Sequence, residues 1–317
     1  EMCIRDRIDP FGDKFVCGIS GAALDKSRDP FLLSERIRES GFSALEVRTE
    51  LPARGNWIRK SVRSGGGRGV KLLLDSESRC SRPPVEGFYY QQYLPGPVFG
   101  ASFMASGKRC CLLGVCRQHT NQLGGDAFVY RGSSGPVKMP CLLLAMLETL
   151  GQIVTETSGI CGLFGIDFVL RKGEPVLLEV NPRYTASMEI IERAWQQSLF
   201  HQHLTGVRSE RLTGWPGVVG EPPIQLAKRY VYWQEPWPVL VNAESHGRLI
   251  ALAGRDAEFA TDIPHAGTVI ESGSPVCTVW ASHEQGILAE ARVMQMERDI
   301  LAMLKQKTAA VVATAVQ

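Results

Sequence analysis

Asp167, Glu179 and Asn181 lie in the stretch GIDFVLRKGEPVLLEVNPR, residues 165–183, at spacings that bring their oxygens to one surface. Ile166, Phe168 and Leu170 alternate with Asp167, and Val176, Leu178 and Val180 alternate with Glu179 and Asn181. Period-two alternation is the mark of a strand with one buried face. Arg171 to Glu174 reads as the turn between two such strands. A three-residue turn centred on Gly173 sets Asp167 across from Glu179 and Phe168 across from Leu178, whereas a slip of one residue buries the acids among the aliphatics. Two carboxylates and a carboxamide suit a hard cation such as Mg²⁺, which takes oxygen ligands and is usually shared with nucleotide phosphates. An amphipathic hairpin with a solvated acidic face fits the same pattern, and this stretch by itself supports both readings.

The other chemistry-bearing stretch is NWIRKSVRSGGGRGVKLL, residues 56–73. A strand over Trp57 to Lys60 runs into Ser64, Gly65, Gly66, Gly67, Arg68 and Gly69, and a second strand leaves at Val70. Glycines let a backbone turn with its N–H groups exposed and come close to a phosphate, because no Cβ intervenes. Lys60, just before them, offers a mobile point charge to phosphate oxygens. The GK[ST] ending of a Walker A loop is absent, and a strand follows the glycines where a Rossmann fingerprint needs a helix. A plain hairpin tip is the alternative; the isolated glycine run and a net charge of +2 argue against an RGG-type nucleic-acid segment.

Elements must hold these groups, and the chain has enough material for them. It has 317 residues, 44% of them hydrophobic and 21% charged, enough for a large core and two domains. The balanced charge asks for neither nucleic acid nor an anionic membrane as partner. No apolar run approaches the roughly 18 residues of a membrane span, and the N-terminus lacks a signal-peptide pattern, so a cytoplasmic protein is expected. Nine cysteines without a CxxC pair read as small buried hydrophobes in a reducing compartment, and His201 with His203 lacks further zinc ligands nearby.

In chain order, EMCIRDR is set aside as non-native in character, FVCGIS reads as one strand, and a loop runs through Asp29 and Pro30. The segment from Pro30 to Gly41 reads as a helix with Leu33 and Ile37 on its apolar side. GFYYQQYLPGPVFGASFMA is apolar to Leu94, breaks at Pro95 and Gly96, and resumes as a strand from Val98 to Ala105. Residues 109–118 form a further strand, Phe128 to Ser133 has loop character, and a helix runs from Cys141 to Ser158 and stops at Gly159. IQLAKRYVYW reads as a strand, with shorter strands at Gly247–Leu252, Gly267–Ile270 and Pro275–Trp280. A final helix from Glu284 to about Lys305 carries Leu288, Ala291, Met294, Ile300, Leu301 and Leu304 on one side.

Taken together and in order, Lys60 with SGGGRG, QQYLPG, GIDFVL and LLEVNPR resemble the ATP-grasp carboxylate–amine ligases, the superfamily of D-alanine–D-alanine ligase and biotin carboxylase. The likeness runs from about Pro30 to Leu204. NPRYTASMEIIERA and TDIPHAGTVIESGSPVCTVWA look, more narrowly, like the ATP-grasp proteins associated with tetrahydromethanopterin biosynthesis. The resemblance implies an α+β fold in which two subdomains grip ATP. It divides the chain into a remnant of a Rossmann-like front domain over 1–24, a core over 25–205 with its lid at about 45–93, a linker over 206–224, and a β-rich C-terminal part over 225–317.

The resemblance further implies that Lys60 binds ATP phosphates and that Ser64, Gly65, Gly66, Gly67 and Gly69 belong to a loop closing over them. Gln91, Gln92, Tyr93 and Leu94 form the adenine-binding hinge, with Gln91 where the family usually has glutamate. Asp167, Glu179 and Asn181 hold one or two Mg²⁺ ions, or Mn²⁺ in their place, and Arg183 steadies charge on the acyl-phosphate. Arg28, with Lys26 nearby, stands roughly where the family has a second phosphate-binding lysine. The implied reaction joins a small-molecule carboxylate to an amine at the expense of ATP, and Glu189 is the nearest base for the amine, though it reads equally well as a helix-surface carboxylate. A homodimer is compatible with this reading. A small-molecule kinase and a non-catalytic ATP-binding module are the alternatives.

Overall fold

Ser20 starts the first helix among the described residues: its hydroxyl accepts a hydrogen bond from the Ala23 N–H at 3.3 Å and caps helix α1, Gly21–Ser27. A loop was expected here. Ala23 and Leu24 give this helix a buried side, and the strand expected at FVCGIS is not formed at Gly18, Ile19 or Ser20. In α2, Pro30–Glu39, the Asp29 carboxylate accepts from the Phe31 and Leu32 N–H groups, and Pro30 supplies a preset φ in the first turn. A computed structural model of the chain describes residues 18–62, 67, 69–75, 85–123, 125–209, 212, 222, 224–253 and 257–315, with the backbone alone at 208, 209 and 307–315. Phe15 to Cys17, EMCIRDR, and much of the 206–224 stretch lie outside the described residues.

A small antiparallel sheet follows. Its strands are β1 (Val47–Arg48), β2 (Trp57–Ser61), β3 (Lys71–Leu73) and β4 (Phe88–Gln92), in the order β1-β4-β2-β3. The rest of the chain builds one antiparallel sheet of eight strands from β5 (Val98–Ser106), β6 (Arg109–Leu123), β7 (Asp126–Gly135), β8 (Gly162–Arg171), β9 (Glu174–Asn181), β10 (Gln225–Tyr232), β12 (Glu258–Thr261) and β14 (Pro275–His283). Their order is β12-β14-β10-β7-β6-β5-β8-β9, and a two-stranded ribbon pairs β11 (Val239–Leu240) with β13 (Val269–Ile270).

Helix α3, Cys141–Ser158, covers one face of the large sheet together with α1 and α2. Leu147, Leu150 and Val154 meet Phe103, Phe164 and Phe168 in the principal core, and Gly159 ends the helix at φ 71°. On the opposite face α4 (Ala186–Trp195) buries Met188, Ile190 and Ile191 against Met104, Leu113 and Leu163, and α5 (Leu199–Ser209) follows it. Helices α6 (Ala243–Ala253) and α7 (Gly286–Ala315) complete a further core with β10 and β14.

Three further expected local structures differ. Phe128 to Ser133 is strand, not loop: β7 pairs with both β6 and β10, and its small residues admit close backbone approach, a Cβ at Gly132 falling 2.0 Å from the Lys228 carbonyl oxygen. Gly247 to Leu252 is helical, begun by the Asn242 side chain accepting from the Ser245 N–H at 2.8 Å. On α7 the buried stripe is Ala289, Val293, Met296, Ile300 and Leu304, while Leu288 and Met294 are exposed. Glu297 sits in that stripe and disguises its period. Of the cysteines, Cys116 and Cys277 are buried, with thiols pushed up to about 12 by burial, but Cys141 is exposed.

Candidate active site

The β8–β9 hairpin reaches the expected register at the acids by an unexpected route. Its turn has two residues, Lys172 (φ 52°) and Gly173 (φ 86°), the positive-φ pair that suits a tight hairpin. That turn pairs Phe168 with Leu177, not with Leu178 as expected, and a one-residue bulge at Leu178 then restores Asp167 opposite Glu179. The bulge also changes which side chains share a face. Leu177 and Val180 enter the principal core, while Val176 joins Leu45 and Val169 in a smaller cluster that Leu178 packs against.

The bulged Leu178 carbonyl turns toward the small sheet, where it accepts from Gln91 Nε2 at 3.0 Å and from Lys60 Nζ at 3.4 Å. Lys60 and Gln91 share a face because antiparallel pairing sets Lys60 opposite Tyr89 and Ile58 opposite Gln91. A cleft of about 1100 Å³, open to solvent, lies between this face, α1 and α2, and the edge of β9. Arg28, Lys60, Gly67, Gln91, Glu179, Asn181 and Arg183 line it. Lys26 is exposed and does not. Of the hinge segment only Gln91 lines the main cleft; Gln92 borders a shallower one with Arg38 and Glu46. The Gln92 N–H donates to the Glu46 carbonyl and the Tyr93 N–H to the Asn56 carbonyl, at 2.8 and 2.9 Å. Leu94 packs beside Val98 at the small apolar cluster. Ser64, Gly65 and Gly66 lie outside the described residues.

At the β9 end of the cleft the charges meet. Lys60 Nζ lies 3.3 Å from Glu179 Oε2, Asn181 Nδ2 donates to Asp167 Oδ2 at 3.0 Å, and Gln118 Nε2 donates to Asp167 Oδ1 at 2.5 Å. Gln118 was missed in the sequence: it ends an expected strand, but its partner is 49 residues away and no local spacing points to it. Burial, and then the adjacent Glu179 carboxylate, push Asp167 up to about 8. For Glu179, burial acts upward, but Lys60 and the surrounding hydrogen bonds outweigh it and hold the carboxyl below its ordinary value. Lys60 is 8% exposed; burial pulls its pKa down, and Glu179 with Tyr89 more than restores it. Two adjacent, half-buried carboxylates thus disagree about ionisation, a conflict a divalent cation would remove. Among the described residues no three of His, Cys, Asp and Glu cluster for a metal. Two carboxylates and an amide suit Mg²⁺, which keeps waters and takes phosphate oxygens.

Arg183 follows the site on the loop into α4, its Nη1 donating to the Tyr184 carbonyl at 3.1 Å. Glu189, in the first turn of α4, is engaged by two cations, Lys228 Nζ at 3.0 Å and Arg193 Nη2 at 3.3 Å. Lys228 is buried, and that burial lowers its pKa. Gln91 Oε1 is buried in the cleft wall with no hydrogen-bond partner among the described residues.

A family model described as an ATP-grasp domain matches residues 29–187. Among solved structures, the chain is similar to a biotin carboxylase from Campylobacter jejuni, with a TM-score of 0.70 and 11% identity over 95% of this chain and 76% of that one. It is also similar to an L-amino acid ligase from Bacillus licheniformis, with a TM-score of 0.67 and 14% identity over 89% and 73% of the two chains. A third likeness is to N5-carboxyaminoimidazole ribonucleotide synthetase from Thermotoga maritima, with a TM-score of 0.66 and 13% identity over 92% and 76%. Among curated proteins, an uncharacterized protein of Methanocaldococcus jannaschii is 25% identical over 231 residues, which are 71% of this chain. The chain spans 50% of that relative's length. No helix among the described residues is long and apolar enough to cross a membrane.

Proposed function

The chain belongs to the ATP-grasp family, and we propose that it is an ATP- and Mg²⁺-dependent ligase that activates a small-molecule carboxylate as an acyl-phosphate for attack by an amine. The observation that carries this reading is the meeting of Lys60 from the small sheet with Glu179, Asp167 and Asn181 from the large one, at one end of a single cleft. The activities named for two of the fold neighbours, an amino acid ligase and a ribonucleotide synthetase, agree with it.

Both ATP and the cation fit the residues present. The unpartnered Gln91 Oε1 is an acceptor for an adenine amino group, and the Asp167 and Glu179 carboxylates call for a cation between them. Asp167, Glu179 and Asn181 would hold Mg²⁺, which when bound offsets the negative charge of phosphate and carboxylate. Lys60 adds a cation to the phosphates from the opposite wall, and Arg28 and Arg183 line the cleft on either side. Asn181 and Gln118 fix the rotamer of Asp167 so that its oxygens are set before the substrate arrives. The substrate carboxylate oxygen then bonds to the γ-phosphorus as ADP leaves, and the amine nitrogen bonds to the acyl carbon as phosphate leaves with the C–O electron pair and takes up the proton that the nitrogen gives up. The first step brings anions together and the second builds negative charge on the acyl oxygen and the leaving phosphate, so positioned cations and N–H donors supply most of the rate.

An ADP-release screen over a panel of carboxylates tests the reading, with amines or hydroxylamine as acceptors. Carboxylate-dependent ADP together with amide or hydroxamate is expected. A stable phosphorylated product without amide would make the protein a kinase, and tight MgATP binding without ADP across the panel would make it a binding module.

A pH dependence accompanies this site. Because the folded-state pKa of Asp167 is raised from 3.8 to about 8, the metal-free fold prefers the protonated acid, and this group's contribution to stability is lost as pH rises through that interval. Mg²⁺ must displace the same proton. Its affinity is therefore expected to rise by up to about tenfold per pH unit below roughly pH 8 and to level off above. Calorimetric Mg²⁺ titrations between about pH 6 and pH 9 check this, and a flat affinity would contradict it.

A further inference from the structure

The hairpin joining β6 to β7 reaches across from the large sheet to the glycine run of the small one. The Gly69 N–H donates to Asp126 Oδ1 at 3.0 Å. Gly67, at φ +77°, lies so close to the same strand that a Cβ there would fall 1.8 Å from the Phe128 carbonyl oxygen. The Phe128 ring also meets Tyr93 at 5.8 Å between centroids, so this one hairpin touches both the glycine run and the hinge. Gly67 lines the cleft, but Gly69 and Asp126 do not. The carboxylate therefore holds Gly69 from outside the cleft and does not occupy a phosphate position within it.

We propose that Asp126 is a positioning residue: its carboxylate fastens Gly69 to the β6–β7 hairpin and so holds the nearby Gly67 at the nucleotide cleft. The catalytic meaning of this latch rests on the ATP reading above, but the latch itself can be measured in the free chain. Phe128 supports it sterically, since only glycine at position 67 permits the backbone contact.

Amide hydrogen exchange at Gly69 in the full chain, combined with stopped-flow dissociation of MgATP, tests the proposal. Asp126→Ala is expected to speed Gly69 exchange and MgATP dissociation by about five- to tenfold, the effect of losing one charge-assisted hydrogen bond, while leaving the unfolding midpoint in place. Asp126→Asn keeps an oxygen acceptor and is expected to recover most of both rates. Gly67→Ala is expected to speed Gly69 exchange as Asp126→Ala does, by forcing the run off Phe128. Unchanged exchange in Asp126→Ala would overturn the latch, as would tighter MgATP binding, which would show the carboxylate competing with phosphate. A protected Gly69 amide in a wild-type chain that binds no MgATP would overturn the nucleotide reading and leave the latch standing.

Discussion

Glu179→Ala is expected to lower kcat/KM for ATP-dependent turnover on the order of 10³-fold or more, because one side chain serves two functions at the end of the cleft. In the proposed reading it is one of the two carboxylates that hold the cation, and it is the counter-charge of Lys60, 3.3 Å away. Burial alone would lower the pKa of Lys60; Glu179, with Tyr89, more than offsets it. Removing the carboxylate therefore weakens the proposed cation site and takes away the main group that raises the pKa of Lys60. Lys60→Ala removes the same ammonium directly and leaves Glu179 without the partner that holds it ionised. The two losses overlap, so the double variant is expected to be little worse than either single one, the signature of groups that act as a unit. ADP release with the carboxylate and acceptor used by the wild type measures all three, and survival of either single variant within a few-fold would sink the assignment.

Much of this site was legible because the strand period is two. Asp167 can face Glu179 only in registers of one parity, and the apolar residues around both select that parity. The bulge was not legible, since Leu177 and Leu178 are both apolar and either satisfies a buried face; yet it is the Leu178 carbonyl that ties Lys60 and Gln91 to the hairpin. Small and polar residues hid β7 for a related reason. Gly132 and Ser133 lack the bulk that marks a strand, and at Gly132 that smallness is what β10 requires. Contacts made only by folding, such as Gln118 to Asp167 and Asp126 to Gly69, have no local spacing to betray them. Nor does any local signal announce that β10 and β14 continue the same sheet as β8 and β9.

The stripe of α7 raises the same issue in its most costly form, and leads to the largest expected effect on stability. Glu297 is 7% exposed and receives Arg131 Nη2 on one oxygen and Arg229 Nε on the other, which ties the helix to β7 and β10. Arg131 is 2% exposed, lies 5.0 Å over the Tyr232 ring, and has no hydrogen-bond partner among the described residues at Nε or Nη1. With two of its nitrogens already without acceptors, this guanidinium depends on Glu297 for its compensation. Glu297→Ala leaves that buried charge unpaired and is expected to cost about 3–5 kcal/mol, read as a lowered urea midpoint with an unchanged slope. Glu297→Gln, which keeps an acceptor for one guanidinium and loses the charge, is expected to cost less. Replacing both partners, Arg131→Met with Glu297→Leu, removes the two most buried charges, leaves only the more exposed Arg229 without its carboxylate, and is expected to recover part of the loss, since a dry apolar pair avoids the desolvation that a lone ion suffers. If the double variant is as unstable as Glu297→Ala, the cost lies in packing and not in the orphaned charge. The ion triad would then be a consequence of how α7 seats on the sheet and not its cause.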